Sequence, residues 1–163
     1  MLNEYKAHVD ERKAQNIPPL PLDADQTSQL VDLLKSEHEE SELLLHLLKE
    51  RVPAGVDQSA YVKAAFLADI TTDKTSSPYI TKTDAVKILG TMLGGYNIHP
   101  LIECLKIDEL GDVAAEALGK TLLIFDAFNE IFELAKTNEH AKKVVNDWAE
   151  GKWFTEKSEL PEQ

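Results

Sequence analysis

Residues 81–105 read TKTDAVKILGTMLGGYNIHPLIECL, and the fold class turns on how this stretch is parsed. Thr81 and Asp84 stand three apart, the spacing at which a hydroxyl and a carboxylate cap a helix start reciprocally. The helix they open runs toward Gly94 and Gly95, which permit positive φ and end it. Asn97 then reads as the N-cap of a following helix, and Pro100 falls in its first turn, where a missing N–H costs little. Two helices joined by so short a bend are antiparallel neighbours. Tyr96 is not explained by the bend, because a turn needs no aromatic; a loop tyrosine is a packing or contact residue.

Outward from this stretch, apolar residues keep returning at helical spacing and almost nothing alternates with a period of two. A helix is expected near residues 2–15. It gives way to NIPPLPLDADQ, where Pro18, Pro19 and Pro21 forbid helix and favour an extended path across other helices. Asp23 and Gln26 form an N-cap pair for TSQLVDLLK. HEESELLLHLLKERV reads as the next helix, ended by Pro53 and Gly55. Asp57 then caps a helix that places Tyr61, Ala64, Ala65 and Ala68 at spacings of three and four, small residues that let a neighbour approach closely. A polar loop, TTDKTSSPYITKTD, leads into the opening stretch. After it come IHPLIECLK, ELGDVAAEALGK, TLLIFDAFNEIFELAK and EHAKKVVNDWAEGKWF. Read in pairs, the helices repeat every ~35 to 45 residues, within the range of helical-hairpin repeats. The expected fold is all-α, a HEAT-like stack of antiparallel helical hairpins within one domain over 1–163, with an orthogonal helical bundle as the alternative.

Composition bounds the function. The chain has 163 residues, 43% of them hydrophobic, enough for one well-filled core. Its 29 acidic and 17 basic residues give a formal charge of -12, which repels phosphate backbones and anionic membrane surfaces and argues against nucleic acid as a partner of this chain alone. No apolar run approaches the ~20 residues that span a bilayer, and the charged opening MLNEYKAHVDERK lacks the core of a secretory signal. A cytoplasmic protein is expected. The single cysteine, Cys104, excludes an internal disulfide.

Candidate chemistry is sparse. Ile124, Phe128, Ile131, Phe132 and Ala135 form an apolar stripe expected to be buried, while Asp126, Asn129, Glu130 and Glu133 share the opposite face. Such a row could attract a hard cation, but ligands from one helix face cannot surround an ion, and a solvated face is the preferred reading. His8, His38, His46, His99 and His140 are scattered, with no HExxH. Glu42 and His46 stand four apart on one helix face, the basis of an alternative in which the chain is a small metal-binding or hydrolytic protein in its own right. Cys104 lies among Leu101 and Leu105 and reads as a small buried hydrophobe. No GxSxG, P-loop, GxGxxG or CxxC is present.

The strings themselves say more. MLNEYKAHVDERKAQNIPPLPLDADQ, then RVPAGVDQSAYVKAAFLADI, LGTMLGGYNIHPLI, and TLLIFDAF with WAEGKWF resemble the N-terminal HEAT-like domain of the bacterial aconitase B family (aconitate hydratase B, also 2-methylisocitrate dehydratase), over nearly the whole chain and in order. One departure is Leu93, where the family usually carries a glutamine; no polar contact is expected from it. The resemblance implies a parent enzyme, a hydro-lyase of the tricarboxylic acid cycle that interconverts citrate and isocitrate through cis-aconitate on a [4Fe-4S] cluster held by cysteines. Those cysteines, and the catalytic residues, lie outside this chain, so the resemblance places no catalytic, cofactor or metal residue here. It implies an excised domain whose residues 155–163 begin the linker to the next. The implied partners are the catalytic domains of the same enzyme, with self-association or contact with other metabolic enzymes. The bend Gly94, Gly95, Tyr96, Asn97 and His99 is then expected to face those domains. RNA binding is a weaker implication, opposed by the charge.

Overall fold

Four of the helices described below start on a side chain that caps them. The computed structural model describes residues 1–121, 124 and 127–150. Among these, α1 spans Leu2–Ala14, α2 Ala24–Leu34, α3 Ser41–His46, α4 Gln58–Thr71, α5 Lys82–Leu89, α6 Ile98–Cys104, α7 Asp108–Gly119, α8 Ala127–Leu134 and α9 Glu139–Ala149. The expected capping pairs form: Asp23 accepts from the Gln26 N–H at 2.8 Å and Gln26 Oε1 accepts from the Asp23 N–H at 3.1 Å. Thr81 and Asp84 repeat the exchange at α5, at 3.1 and 3.2 Å. Asp57 accepts from the Ser59 N–H at 2.8 Å to open α4. Asn138, which the sequence reading passed over, caps α9 through Ala141 at 2.8 Å. The only β pairing among the described residues is an isolated bridge between Ser77 and Ile80.

The all-α expectation holds for the described residues. Helix α2 packs on α4, and α4 on α5; beyond them α4, α6 and α8 make one row while α5, α7 and α9 make another, with α6 against α7 and α8 against α9. The core between them is aliphatic, with Leu30, Leu67, Leu89, Leu101, Leu118 and Val144 fully buried. Each such leucine stabilises the fold by about 2 kcal/mol. Small residues set the closest approaches: a Cβ on Gly90 would lie 2.8 Å from the Cβ of Ala117, so α5 and α7 nearly touch there.

The proline-rich linker does cross other elements. The Leu22 N–H donates to the Arg51 carbonyl at 2.8 Å, and Leu22 itself is buried. The Arg51 guanidinium donates back to the Pro19 and Leu20 carbonyls and to the Tyr5 hydroxyl. One side chain thereby ties α1, the linker and the helical segment that follows α3, satisfying carbonyls that the non-helical linker leaves without a ladder partner.

Four expectations need correction. The helix read over 38–52 begins at Ser41; the residues before it form a turn in which the Glu40 N–H donates to His38 Nδ1 and the His38 N–H to the Tyr79 hydroxyl. Its second half, Leu47–Arg51, is a π-helix. On α4 the close-packed face is Ala60, Ala64 and Leu67; Tyr61 and Ala65 point to solvent. The stripe of the eighth helix is only partly buried: Ile124 and Ile131 are covered, whereas Phe128 and Phe132 are 46% and 48% exposed, stacked on each other and, through Phe128, on Trp148 at 5.5 Å. They flank Ile131 on the rim toward α9 rather than facing the core. The expected start of that helix at 121 and the end of the last one beyond 150 lie outside the described residues.

Lys63 is an uncommon core residue, 3% exposed, with its ammonium 3.5 Å from the Lys49 carbonyl. Desolvation lowers its pKa from 10.5 to about 8, opposed by the nearby Glu50 carboxylate. The folded protein therefore holds this proton less tightly than the unfolded chain. Stability should rise as pH climbs from about 8 toward 10.5, by up to ~3 kcal/mol, and level off above. Lys63→Met should remove that slope and raise the denaturation midpoint at pH ~7, where the buried charge is still carried; urea titrations across this pH range check both. Gly90→Ala should cost about 1–3 kcal/mol, since its Cβ meets a helix and not a movable chain end; thermal melts of the variant measure it.

Candidate protein-interaction surface

The bend after α5 is built from three consecutive residues with positive φ: Leu93 at 63°, Gly94 at 113° and Gly95 at 84°. The glycines do what the sequence predicts, and the leucine joins them in a conformation that costs a side-chain-bearing residue roughly 1 kcal/mol or more. Gly95 is required for a second reason. A Cβ there would lie 2.9 Å from the Gly55 carbonyl oxygen and 3.2 Å from Val56 Cγ1, so this bend rests directly on the loop between the π-helix and α4. Gly55 itself has φ 79°.

Two neighbouring loops thus form one surface. Tyr96 meets Tyr61 of α4 edge to face, centroids 5.2 Å apart and planes at 74°, a geometry that aromatic quadrupoles favour. Around this pair Val56 is 76% exposed and Leu93 67%, with Tyr61 at 51% and Tyr96 at 38%. Val56 and Tyr61 occupy the positions just before the N-cap Asp57 and four residues after it, where a hydrophobic staple packs. That spacing was the available signal for two members the sequence reading missed.

The other residues expected at this surface divide. Gly94 and Asn97 are buried. Asn97 does occupy the N-cap position of α6, but its side chain caps nothing there: its backbone is helical at φ -81° and ψ -19°, and its Nδ2 donates to the Leu89 carbonyl at 2.7 Å. That carbonyl also accepts from the Met92 N–H at 3.1 Å, so both its acceptor directions are used. Asn97 Oδ1 has no hydrogen-bond partner among the described residues. The role of Asn97 is to hold the bend from within. His99 is exposed, its Nδ1 3.9 Å from Glu130 Oε2.

The remaining candidates stay apart from this surface. Glu42 and His46 are both exposed on α3, and neither side chain has a hydrogen bond or ion pair among the described residues. Asn129 and Glu133 are exposed on α8, Glu133 pairing with Lys136, and Asp126 lies outside the described residues. No group of three or more histidine, cysteine or carboxylate side chains able to hold a metal occurs among the described residues. Cys104 is 1% exposed, and desolvation raises its thiol pKa, with a smaller opposing pull from the Thr71 hydroxyl. A lone buried thiol does not fit an iron-sulfur cluster, which needs several thiolates. No helix among the described residues is long and apolar enough to cross a membrane.

A family model for the aconitate B N-terminal domain matches residues 4–154. The chain is 51% identical over 166 residues to aconitate hydratase B of Synechocystis sp., an alignment covering 100% of this chain and 19% of that protein. It is 52% identical over 165 residues to aconitate hydratase B of Escherichia coli, again covering 100% of this chain and 19% of the relative. The protein of that name from Helicobacter pylori is 42% identical over 163 residues, covering 99% of this chain and 19% of its own. The chain thus spans about a fifth of the length of these curated relatives. Matched by the family model over nearly all its length and by these relatives from end to end, the chain belongs to the aconitase B N-terminal domain family.

Proposed function

We propose that the chain is the non-catalytic interaction and architecture domain of an aconitate hydratase B, and that the Val56–Tyr61–Leu93–Tyr96 surface packs against the catalytic portion of that enzyme. The observation that carries this reading is the surface itself: four large apolar or aromatic side chains, Tyr61 from the first turn of α4 and the others from two loops whose backbones are wedged together. Covering such side chains yields ~1.5–3 kcal/mol each, before the cost of ordering the partner. A rigid base keeps that cost low. Tyrosine suits such contacts because it offers a broad apolar face with few rotatable bonds.

The relatives bear the name aconitate hydratase B and are about five times the length of the match. In this reading the interconversion of citrate and isocitrate, and the dehydration of 2-methylisocitrate, belong to the parent's other domains, together with the cluster that a single buried cysteine cannot hold. The same reading takes α4/α5, α6/α7 and α8/α9 as antiparallel hairpins of a HEAT-like stack; the two helix rows support it. Residues 1–163 then act as one domain of a longer cytoplasmic protein, with 155–163 leading into the next.

Hydrogen exchange compares the chain alone with the same residues inside the full-length enzyme. Amides of 53–61 and 93–97 should be more protected in the full-length protein, and Tyr96→Ala there should lose that protection and loosen domain packing. Equal exchange in both settings, or unchanged packing and turnover in the variant, would count against the interface. Leu93→Gly separates local strain from docking. It should stabilise the isolated chain by ~0.5–1 kcal/mol by relieving the positive φ, while weakening association with the catalytic portion supplied in trans; a melt and a titration read the two effects.

A further inference from the structure

Helix α4 is apolar on both sides. Toward the core it sets Ala60, Ala64 and Leu67, all 2% exposed or less, and its lysine, Lys63, is buried with them. Toward solvent, Tyr61 and Ala65 are exposed while Val62 and Ala68 are half-buried. These four stand at i, i+1, i+4 and i+7, a second helical stripe on the opposite face. A helix whose apolar residues run all the way round belongs in a setting that packs it on every side. Among the described helices α4 packs on α2, α5 and α6, and none of them covers Tyr61 or Ala65. The uncovered stripe is one wall of a groove. Helices α2 and α4 run parallel: the Ser59 hydroxyl at the start of α4 donates to the Leu22 carbonyl just before α2 at 3.1 Å, and the Ser77 hydroxyl beyond α4 donates to the Leu34 carbonyl at the end of α2 at 2.6 Å. Between them lies a cleft of about 420 Å³, walled by Val31 of α2 and by Tyr61, Val62, Ala65 and Phe66 of α4. Its charged groups lie at the end far from Tyr61 and are already paired, Lys35 with Asp32 at 2.9 Å and Lys74 with Asp69 at 3.9 Å. The near end opens on Tyr61, which belongs to the loop corner through its contact with Tyr96. Corner and groove are one continuous surface.

The groove selects the kind of element that fills it. Along this stretch the backbone groups of α2 and α4 are spent within their own helices, and the described residues form no sheet. An extended partner segment would find no ladder there, and its own N–H and C=O groups would lose water without replacement. A helix satisfies its backbone internally. Ala65, a small residue midway between Tyr61 and Asp69, lets a helix axis come to the ~8–10 Å at which side-chain rows interdigitate. The eight residues from Tyr61 to Asp69 rise ~12 Å, so about two to three turns of helix fill the groove. With the charges at its far end already paired, the face that matches it is apolar. Resting on the reading that the loop corner meets the catalytic portion of the longer enzyme, we infer that the element making this contact is an amphipathic helix of that portion, laid along the α2–α4 groove with its apolar stripe over Ala65.

Photo-cross-linking in the full-length enzyme tests it, with benzoylphenylalanine in place of Ala65, Asp69 or Tyr96, one at a time, and the cross-linked residues read by mass spectrometry. The probes at 65 and 69 should reach one segment of the catalytic portion, at positions three or four residues apart. Ala65→Trp should leave the melt of the isolated chain unchanged, since that side chain is exposed. In the full-length enzyme the same substitution overfills the groove and should speed limited proteolysis between this domain and the rest ~10-fold. Cross-links from 96 with none from 65 or 69 overturn the groove helix and leave the loop corner standing, whereas none from any of the three overturns both readings. Cross-links from 65 and 69 that land two residues apart, as on a strand, on unconnected segments, or on a second copy of the chain overturn the helix, as does an Ala65→Trp enzyme cleaved no faster than the parent.

Discussion

The side-chain amide of Asn97, sealed from water, holds the carbonyl that ends α5, and the corner of the molecule depends on that hydrogen bond. Leu89 is the last residue of its helix, where carbonyls lose their intrahelical partners. Met92 satisfies one acceptor direction and Asn97 the other, so the chain can turn at once instead of continuing to a solvent-exposed cap. Three positive φ values then fit the reversal into Leu93, Gly94 and Gly95. Tyr96 emerges on the outer side because Asn97 is pinned on the inner one. Were the Leu89 carbonyl left with a single partner in the core, part of its desolvation cost of ~1–3 kcal/mol would return, and the bend would lose the anchor that presses Gly95 onto Gly55.

That arrangement explains which parts of the fold could be read from the residues. Local reciprocal chemistry was legible: Asp23 with Gln26, Thr81 with Asp84, and Asp57 alone each act within three residues, so no knowledge of the fold is needed to see them. The glycine bend was legible for the same reason. Asn97 was not, because an asparagine just before a helix satisfies the rule for an N-cap equally well whether its amide turns to its own helix or back to the preceding one. The choice was made by burial, which is tertiary. Helix α4 shows the other failure. Alanines lie on both sides of it, so a period of three and four picks out the Tyr61–Ala65 face as readily as the Ala60–Ala64–Leu67 face that is actually covered. Phe128 and Phe132 fit a buried stripe by spacing, yet only Ile131 between them is in the core.

Leu93 links strain to surface. A leucine at φ 63° with two thirds of its side chain in water contributes little to the isolated fold and destabilises the backbone locally. A glycine would serve the turn better. The cost of retaining a branched apolar side chain there is offset only by something that covers it, and the same holds for Val56 across the loop contact. Both sit beside the Tyr61–Tyr96 pair, so a single partner surface can cover all four. This is why the loop corner, and not the acidic faces of α3 or α8, carries the functional reading.

Charge divides the molecule differently from hydrophobicity. A chain with formal charge -12 gains solubility from self-repulsion and has every reason to pair its lysines with nearby carboxylates, as most of them do. Lys13, Lys49, Lys87 and Lys143 are the exposed lysines without such a pair among the described residues, and Lys49 and Lys87 share their cleft with Glu50 and Asp84. Isolated surface pairs are worth little, so stability alone does not oppose this placement. The apolar corner lies on two connections between helices and the first turn of α4, whereas Lys87, Glu116 and Lys143 lie on the α5–α7–α9 row. A partner that covers the corner therefore gains from apolar area, and charge sets how it approaches more than how tightly it holds.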